Sequence, residues 1–242
     1  MAHSTHDIRN IALVGHAASG KTTLTEALLL AAGRIPSAGT VEKGSTVTDF
    51  DTLEKAHGHS LDAALVNFDW DGCHVNLIDT PGFPDVLGQA VAVLPAVETA
   101  AVVVNAQAGI ESVTVRMMER AAERGLCRLL VVNRIDAEGV DLPGLLAALQ
   151  DTFGRECLPI NLPARAATAV VDCFFNPAGD SDFSSVADAH TALIDQVVEV
   201  DEALMALYLE QGEELAPEQL HAPFEQALRE GHLIPVCFVS AR

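Results

Sequence analysis

Residues 11–29 read IALVGHAASGKTTLTEALL, and this stretch decides the fold. Its four leading apolar residues predict a short buried strand, and the run from Lys21 has helical spacing and a stop signal at Gly33. Residues 15–22 between them match the pattern G-x-x-x-x-G-K-[ST]. Between a strand and a helix, that pattern indicates a loop whose backbone N–H groups wrap phosphates, although a glycine turn beside a surface lysine is the structural alternative.

The residue types in this phosphate loop (residues 15–22) suit the binding of a phosphate chain and a hard cation. Gly15 and Gly20 permit close approach of the backbone, and Lys21 supplies a positive charge to the outer phosphates. The Thr22 hydroxyl would ligate Mg²⁺, which prefers oxygen ligands. The predicted phosphate-binding residues are Gly15, His16, Ala17, Ala18, Ser19, Gly20, Lys21, Thr22 and Thr23.

A second motif, NLIDTPG (76–82), follows another apolar run. Asp79 would end a buried strand, where it can hold a water molecule of the Mg²⁺ shell. Gly82 leaves its N–H free to meet a γ-phosphate, which would couple that phosphate to the loop beyond. Alone, DTPG is equally a turn after a strand, but together with the phosphate loop it indicates a nucleoside triphosphate site.

A third motif, NRID (133–136), points to the base. Asp136 can accept hydrogen bonds from the ring N–H and the exocyclic amine of guanine, a donor pair that adenine does not present. Asn133 would tie this guanine loop (residues 133–136) to the phosphate loop, and Arg134 can lie over the base. A backbone N–H of Ser240 or Ala241, after the last apolar run, would meet the guanine carbonyl. The order of these motifs predicts a guanine-nucleotide site, and Asp136 disfavours the alternative, an ATP-dependent kinase or ATPase.

Short apolar runs alternate with amphipathic stretches along the chain, which predicts an α/β fold. Together with the phosphate-loop and guanine motifs, this fold is expected to be of the P-loop GTPase type. We expect a mostly parallel, twisted sheet with helices on both faces and a small α/β insertion subdomain. The hairpin in 65–79 would turn at Asp71–Gly72, a pair that suits a tight turn. The predicted strands are 11–14, the two arms of the hairpin 65–79, 100–106, 128–134 and 235–241, and the predicted helices are 21–33 and 111–125.

Two stretches differ from this alternation. Residues 33–60 are rich in Gly, Thr, Ser and Asp without a sustained period, which indicates a long functional or disordered loop. Residues 158–231 contain a strand-like run at 168–175, a long amphipathic run from Val186 to Leu207, and a short helix at 223–231 with Pro223 in its first turn. We expect residues 1–157 to form the GTPase core, 158–231 the inserted subdomain, and 232–242 the last strand with its guanine-contacting loop.

The composition limits the partners of the protein. The formal net charge is −20, with 34 acidic and 14 basic residues, which argues against broad nucleic-acid binding. No apolar run approaches the roughly 18 residues of a membrane span, and the N-terminus lacks the apolar core of a signal peptide. We expect a cytoplasmic monomer with no membrane partner and no direct sequence-specific contact to nucleic acid. No Cys/His spacing predicts a zinc site.

With these motifs, the sequence resembles the G domain of translational GTPases, most closely bacterial elongation factor G and its elongation-factor-G-like paralogues. The resemblance runs from residues 9–29 to 235–241, and the stretches 197–214 and 224–241 look like parts of the insertion typical of that family. It implies GTP or GDP with Mg²⁺ as cofactors, GTP hydrolysis, and the ribosome as partner in translocation, recycling or a specialised variant. That family continues beyond the last strand with a helix and further domains, so we expect the chain to be a piece of a longer factor.

The same resemblance identifies residues 33–60 as the first-switch loop and gives Ser60 the place of a Mg²⁺-ligating threonine. Two positions depart from the family pattern. Phe83 follows DTPG, where the family has a histidine that helps orient the attacking water, and Ala18 stands where the family has an aspartate close to the transferring phosphate. A benzyl group cannot hydrogen-bond water, so the predicted catalytic set (Lys21, Thr22, Ser60, Asp79, Gly82, Phe83) retains binding groups and contains a phenylalanine where hydrolysis needs a polar group.

Several alternatives stay open at this point. The protein can be a slow GTPase, a GTP-binding regulatory switch with negligible hydrolysis, or a ribosomal-protection or release-factor GTPase. Phe83 can also pack under the first-switch loop while another group or a partner positions the water. His57 and His59 lie in that loop near the expected phosphate, although an exposed loop histidine is the simpler interpretation of each.

Overall fold

A seven-stranded sheet forms the centre of the computed structural model, which describes residues 3–211 and 217–241. The strands are β1 Ile8–Val14, β2 Ala64–Trp70, β3 Cys73–Asp79, β4 Thr99–Asn105, β5 Cys127–Asn133, β6 Cys157–Pro159, β7 Asn161–Ala164, β8 Ala169–Asp172 and β9 Ile234–Val239. The order across the sheet is β2-β3-β1-β4-β5-β9-β6. Strand β2 is antiparallel to β3, and the other neighbouring pairs are parallel.

Helices connect the strands as the alternating pattern predicts. They are α1 Lys21–Ala31, α2 Thr52–His57, α3 Leu87–Val93, α4 Ser112–Glu123, α5 Leu142–Phe153, α6 Val186–Val198, α7 Glu202–Gln211 and α8 Pro217–Glu230. Short 3₁₀ helices occupy 5–7, 41–43, 84–86 and 94–96. Within the described ranges, each helix is too short or too polar to span a bilayer.

Side chains of the central strands alternate between two hydrophobic cores, one on each face of the sheet. In β1, Ala12 and Val14 belong to the first core, whereas Leu13 between them belongs to the second. Helices α3, α4, α5, α6 and α8 contribute buried residues to the first core, and α1 contributes Leu24 and Leu29 to the second. Because successive strand residues point to opposite faces, a continuous apolar strand needs cover on both sides. The predicted helices on both faces are therefore confirmed.

The hairpin between β2 and β3 turns where the sequence predicts. Asp71 and Gly72 have φ values of 46° and 80°, and Trp70 pairs with Cys73 across the turn. Positive φ at both central residues is the geometry of a two-residue turn that matches the twist of paired strands. This hairpin places β2 at one edge of the sheet.

Three sequence-based expectations about the helices are wrong. The loop 33–60 contains helix α2, whose first turn is held by a capping box between Asp51 and Glu54. The run from 186 to 207 is two helices, because the Asp201 carboxylate caps a new start by accepting from two backbone N–H groups. Pro223 lies inside α8 and not in a first turn. The loss of its N–H is tolerated in a helix that buries Leu220 and Ala227 in the first core.

The segment 158–231 is joined to the rest of the molecule through the first core. Strand β6 includes the first residues of this segment and pairs with β9, with Cys157 opposite Ile234. Strands β7 and β8 form a separate antiparallel pair. Helices α6 and α8 contact each other, α6 also contacts β6, and α8 contacts β5. The division into a core and an inserted subdomain stays a prediction, and its residues 1–2, 212–216 and 242 lie outside the described residues.

Candidate functional site

The three predicted motifs meet at one edge of the sheet. The phosphate loop follows β1, DTPG follows β3 and the guanine loop follows β5, and these strands run in the same direction. The carboxyl ends of parallel strands are where such sheets bind ligands. A cavity of about 340 Å³ opens there. It is lined by Ala17, Ala18, Gly20, Lys21, Thr22, Thr23, Val41, Glu42, Asp49, His57, Gly58, His59, Ser60, Thr80, Gly82, Phe83 and Arg134.

Lys21 is held in the phosphate loop by backbone carbonyls. Its Nζ donates to the carbonyl oxygens of Gly15 at 3.0 Å and His16 at 2.9 Å. Burial lowers the pKa of Lys21 to about 8, against the opposing charges of Asp79 and Glu111. An ammonium has three N–H donors, so two carbonyl partners leave one donor for an anion in the cavity. This is the arrangement that a phosphate-binding lysine requires.

The predicted metal ligands converge on one oxygen cluster (Thr22, Thr48, Asp49, Ser60, Asp79). Thr22 Oγ1 donates to Asp79 Oδ2 at 2.7 Å and lies 3.4 Å from Ser60 Oγ. Two further members were not predicted: the Thr48 hydroxyl donates to Asp79 Oδ2 at 3.0 Å, and Ser60 Oγ donates to Asp49 Oδ1 at 2.6 Å. An all-oxygen donor set is the kind that Mg²⁺ prefers.

Three buried polar atoms at this site have no hydrogen-bond partner among the described residues: Asp79 Oδ1, Ser19 Oγ and His16 Nδ1. Burial also raises the pKa of Asp79 to about 6, although the Thr22 hydroxyl and the Lys21 charge act to lower it. Buried polar atoms are normally paired, so each unpaired one calls for an explanation. The unpaired carboxylate oxygen next to two hydroxyls fits a divalent cation and its bound water, and the donor set therefore fits Mg²⁺.

Gly82 lies directly against the phosphate loop. A Cβ added there would be 2.7 Å from both the Ala17 nitrogen and the Gly15 carbonyl oxygen, and closer still to Lys21 Nζ. The preceding Thr80 is anchored by a hydrogen bond from its hydroxyl to the Leu13 carbonyl at 2.7 Å. Only glycine lets the chain pass this close to the phosphate loop. The contact of the Gly82 N–H with a γ-phosphate stays a prediction.

Phe83 lies at the wall of the cavity, with 40% of its surface exposed. Its ring packs on the ring of His59, with 4.4 Å between centroids and planes tilted by 47°. The His57 ring lies 5.7 Å from that of His59, and both histidines line the cavity. The open expectation that Phe83 packs against the first-switch loop therefore corresponds to a contact in the structure, and that contact is an imidazole.

Two buried glutamates that are not among the predicted site residues, Glu26 and Glu54, hold the first-switch loop in place. Glu26 of α1 accepts from the backbone nitrogens of Gly39 and Val47, each at 2.6 Å. Glu54 of α2 accepts from the backbone nitrogens of Leu61 at 2.9 Å and Asp62 at 3.2 Å. The signal for Glu26 is its place between Leu24 and Leu29, on the buried side of α1.

The residues predicted to recognise the base surround a second, smaller cavity. Asn133 Nδ2 donates to the Ser19 carbonyl at 3.0 Å, which confirms the predicted tie between the guanine loop and the phosphate loop. Asn133 Oδ1 accepts from the backbone nitrogens of Arg134 at 2.8 Å and Ala241 at 3.1 Å. The Ala241 N–H, one of the two predicted for the guanine carbonyl, thus has an internal partner here. The cavity is lined by Gly20, Thr23, Asn133, Arg134, Asp136, Ser240 and Ala241.

Comparison with known proteins decides the family. Residues 6–242 match the family model described as elongation factor Tu GTP binding domain. The chain belongs to this family. As a member, this GTP-binding domain has the P-loop GTPase fold, and the predicted family and fold class are confirmed. Members are GTPases that hydrolyse GTP, and this domain is of the elongation-factor-G-like type.

Individual relatives show how much of a longer protein the domain represents. It is 35% identical to an elongation factor G-like protein of Mycobacterium tuberculosis, over 95% of this chain and 34% of the relative. It is 39% identical to a mitochondrial ribosome-releasing factor 2 of Culex quinquefasciatus, over 65% of this chain and 21% of the relative. A crystal structure of a Thermus thermophilus protein superposes with a TM-score of 0.86 and 36% identity, over 97% of this chain and 37% of that one. The chain thus spans about a third of the length of two of these relatives.

Proposed function

We propose that this chain is the GTP-binding and GTP-hydrolysing domain of an elongation-factor-G-like protein that acts on the ribosome in the cytoplasm, in translocation, recycling or a related step. The single observation that supports it best is the meeting of Lys21, Gly82 and the oxygen cluster around unpaired buried polar atoms. The name of one relative, a ribosome-releasing factor, supports the ribosome as partner. The domain division at 158–231 belongs to the same proposal.

The proposed binding mode assigns each part of the cavity to a part of the nucleotide. The backbone of residues 15–23 and the remaining Lys21 donor hold the phosphates, and the Gly82 N–H meets the γ-phosphate. Mg²⁺ is held by the hydroxyls of Thr22 and Ser60 and, through water, by Asp79. The bound ion neutralises charge on the phosphates, which is its usual contribution to phosphoryl transfer. GDP binds through the same groups without the γ-phosphate contact.

Base selection is assigned to the second cavity. Asp136 accepts the two guanine donors, Arg134 covers the base, and the backbone at Ser240–Ala241 faces the guanine carbonyl. Asp136→Asn should weaken GTP binding and favour a xanthine nucleotide, because the amide presents a donor where the carboxylate accepted one. Nucleotide affinities measured by fluorescence competition test this, and an unchanged GTP affinity would place the base elsewhere.

Hydrolysis is proposed to be slow because Phe83 and Ala18 replace two polar groups near the transferring phosphate. A missing positioning or proton-transfer group typically costs about 10²–10⁴-fold in rate. The remaining Mg²⁺, Lys21 and backbone donors still lower the barrier, since positioning and electrostatics dominate this chemistry. Phe83 supplies no such group, although the adjacent His59 keeps one imidazole at the cavity wall.

The competing proposal is a regulatory GTP switch with negligible turnover. Single-turnover GTP hydrolysis with and without ribosomes distinguishes the two. Measurable hydrolysis that ribosomes stimulate supports a translational GTPase, whereas tight GTP binding without detectable turnover in either condition supports the switch. A ribosome-stimulated rate equal to that of family members with a histidine after DTPG would contradict the proposed effect of Phe83.

A further inference from the structure

Two histidines and an aspartate meet at the end of the sheet opposite the nucleotide cavity. His74 Nδ1 lies 2.7 Å from Asp69 Oδ1, and His3 Nε2 lies 3.5 Å from the same oxygen. One donor atom from each of the three residues can be chosen so that all lie within 4.8 Å of one another. The sequence does not predict this histidine–aspartate cluster (His3, Asp69, His74), because His3 is distant along the chain from the other two and the three form no local metal-binding pattern.

The strand register holds the cluster together. Asp69 and His74 are directly opposite in the β2–β3 hairpin, so their side chains leave the same face of the sheet as neighbours. Ile8, the first residue of β1, pairs with His74, which brings the segment before β1 alongside the hairpin. The His3 and His74 rings stack with 4.8 Å between centroids. Two of the three side chains are thus positioned by a tight hairpin and the third by packing on one of them.

The donor atoms fit a particular class of metal ion. Imidazole nitrogens and a carboxylate oxygen are common Zn²⁺ ligands, each at about 2.0–2.2 Å from the ion, so that two ligands lie at most about 4 Å apart. The donor atoms lie within 4.8 Å of one another, so the longest separation must shorten by less than about 1 Å to meet that limit. Mg²⁺ and Ca²⁺ favour sites made wholly of oxygen, so the two nitrogens select against them. Three protein ligands leave a coordination position for water.

We propose that His3, Asp69 and His74 form a Zn²⁺-binding site that is separate from the Mg²⁺ and nucleotide site. The ion would link the segment before β1 to the β2–β3 hairpin, two parts of the chain that are otherwise joined here through the parallel pairing of β1 with β3. The formal net charge of −20 raises the local concentration of cations around the protein and favours occupancy.

Isothermal titration of the whole 242-residue chain with ZnCl₂ tests the proposal. The buffer contains millimolar Mg²⁺ as a competitor for the oxygen cluster, whose donors suit Mg²⁺. We expect one Zn²⁺ per chain, and we expect His74→Ala and Asp69→Asn each to weaken binding at least about tenfold, as loss of a ligand costs no less than loss of an outer-shell partner. His6→Ala is the matched control, because His6 is an exposed histidine of the same segment that lies outside the cluster.

The outcomes separate the cluster from other sources of zinc affinity. Binding that persists unchanged in both His74→Ala and Asp69→Asn, or that is lost in His6→Ala, would assign the ion to other groups and overturn the proposal. Absence of measurable binding to the wild-type chain would overturn it as well. Thermal unfolding in metal-free buffer shows that the variants are folded: Asp69 is exposed, and Asp69→Asn should leave Tm within about 2 °C of the wild type. Saturating Zn²⁺, at about 100 times Kd, should raise the wild-type Tm by about 5–10 °C and that of Asp69→Asn by clearly less.

Discussion

Phe83→His tests directly whether the phenylalanine at position 83 limits the rate of GTP hydrolysis. The substitution restores an imidazole at the residue that follows DTPG, on the wall of the cavity. Residue 83 has φ −75° and ψ 140°, an extended conformation that histidine adopts without strain. The Phe83 ring is 40% exposed, so the smaller imidazole leaves no cavity in a packed core. We therefore expect the variant to fold as the wild type does and to differ in chemistry.

The size of the gain follows from the role of the missing group. A positioned acid, base or water-orienting group contributes about 10²–10⁴-fold, which corresponds to about 2.7–5.5 kcal/mol of transition-state stabilisation. Ala18 is unchanged in this variant, so the second departure from the family pattern still acts against hydrolysis. We expect the lower end of the range, about 100-fold, with the GTP dissociation constant unchanged within about threefold.

The assay is single-turnover hydrolysis of GTP at saturating protein, without ribosomes, so that binding and product release do not enter the rate. Phe83→Leu is the matched control and should show no gain, because leucine is apolar like phenylalanine. His59→Ala, in the wild-type and Phe83→His backgrounds, measures what the imidazole 4.4 Å away contributes to each. A Phe83→His rate within about twofold of the wild type, at equal GTP affinity, would refute the reasoning.

Three further predictions concern the groups around the phosphates. Gly82→Ala should weaken GTP much more than GDP, because a Cβ pressed against the phosphate loop would displace the Gly82 N–H from the γ-phosphate that only GTP carries. Gly88→Ala, with open space around its Cβ, should change neither affinity, and equilibrium binding of both nucleotides measures this. Asp79→Asn should stabilise the nucleotide-free protein, since burial raises the pKa of Asp79 from 3.8 to about 6. The carboxylate therefore costs stability that grows from about pH 4 and is complete above about pH 6. The gain in denaturant unfolding should be up to about 3 kcal/mol at pH 7, fall to roughly half of that at pH 5 and vanish below pH 4, while Mg²⁺-dependent GTP binding is lost. Glu26→Ala should accelerate amide hydrogen exchange at residues 39 and 47, whose N–H groups it holds, and an unchanged exchange rate there would contradict that role.

The central strands and the site motifs could be predicted from the sequence because each has a local signature. Apolar strands of the length of β4 and β5 stand out between polar loops, and the phosphate loop is recognisable from its place between β1 and α1. The turn at Asp71–Gly72 is likewise a property of two adjacent residues. In each case the physical cause lies within a few residues of the feature, so one sequence is enough.

Features that depend on short elements or distant partners could not be predicted in this way. Helix α2 has six residues, too few to show a period, and its signal was the capping pair Asp51 and Glu54. The contact of Thr48 with Asp79 joins residues 31 positions apart, and only the folded chain brings them together. The sequence predicts too late a start for α8, because proline is common in a first turn whereas Pro223 occupies the helix interior.

Asn133 is buried between three segments: its side chain bonds to Ser19 of the phosphate loop, to Arg134 of its own loop and to Ala241 after the last strand. One side-chain amide therefore links the guanine loop to the phosphate loop through hydrogen bonds. The binding free energies of the base and of the phosphates are then coupled. A base that fits poorly weakens the binding of the phosphates, although it does not contact them. Discrimination among nucleotides would consequently be larger than the base contacts alone supply.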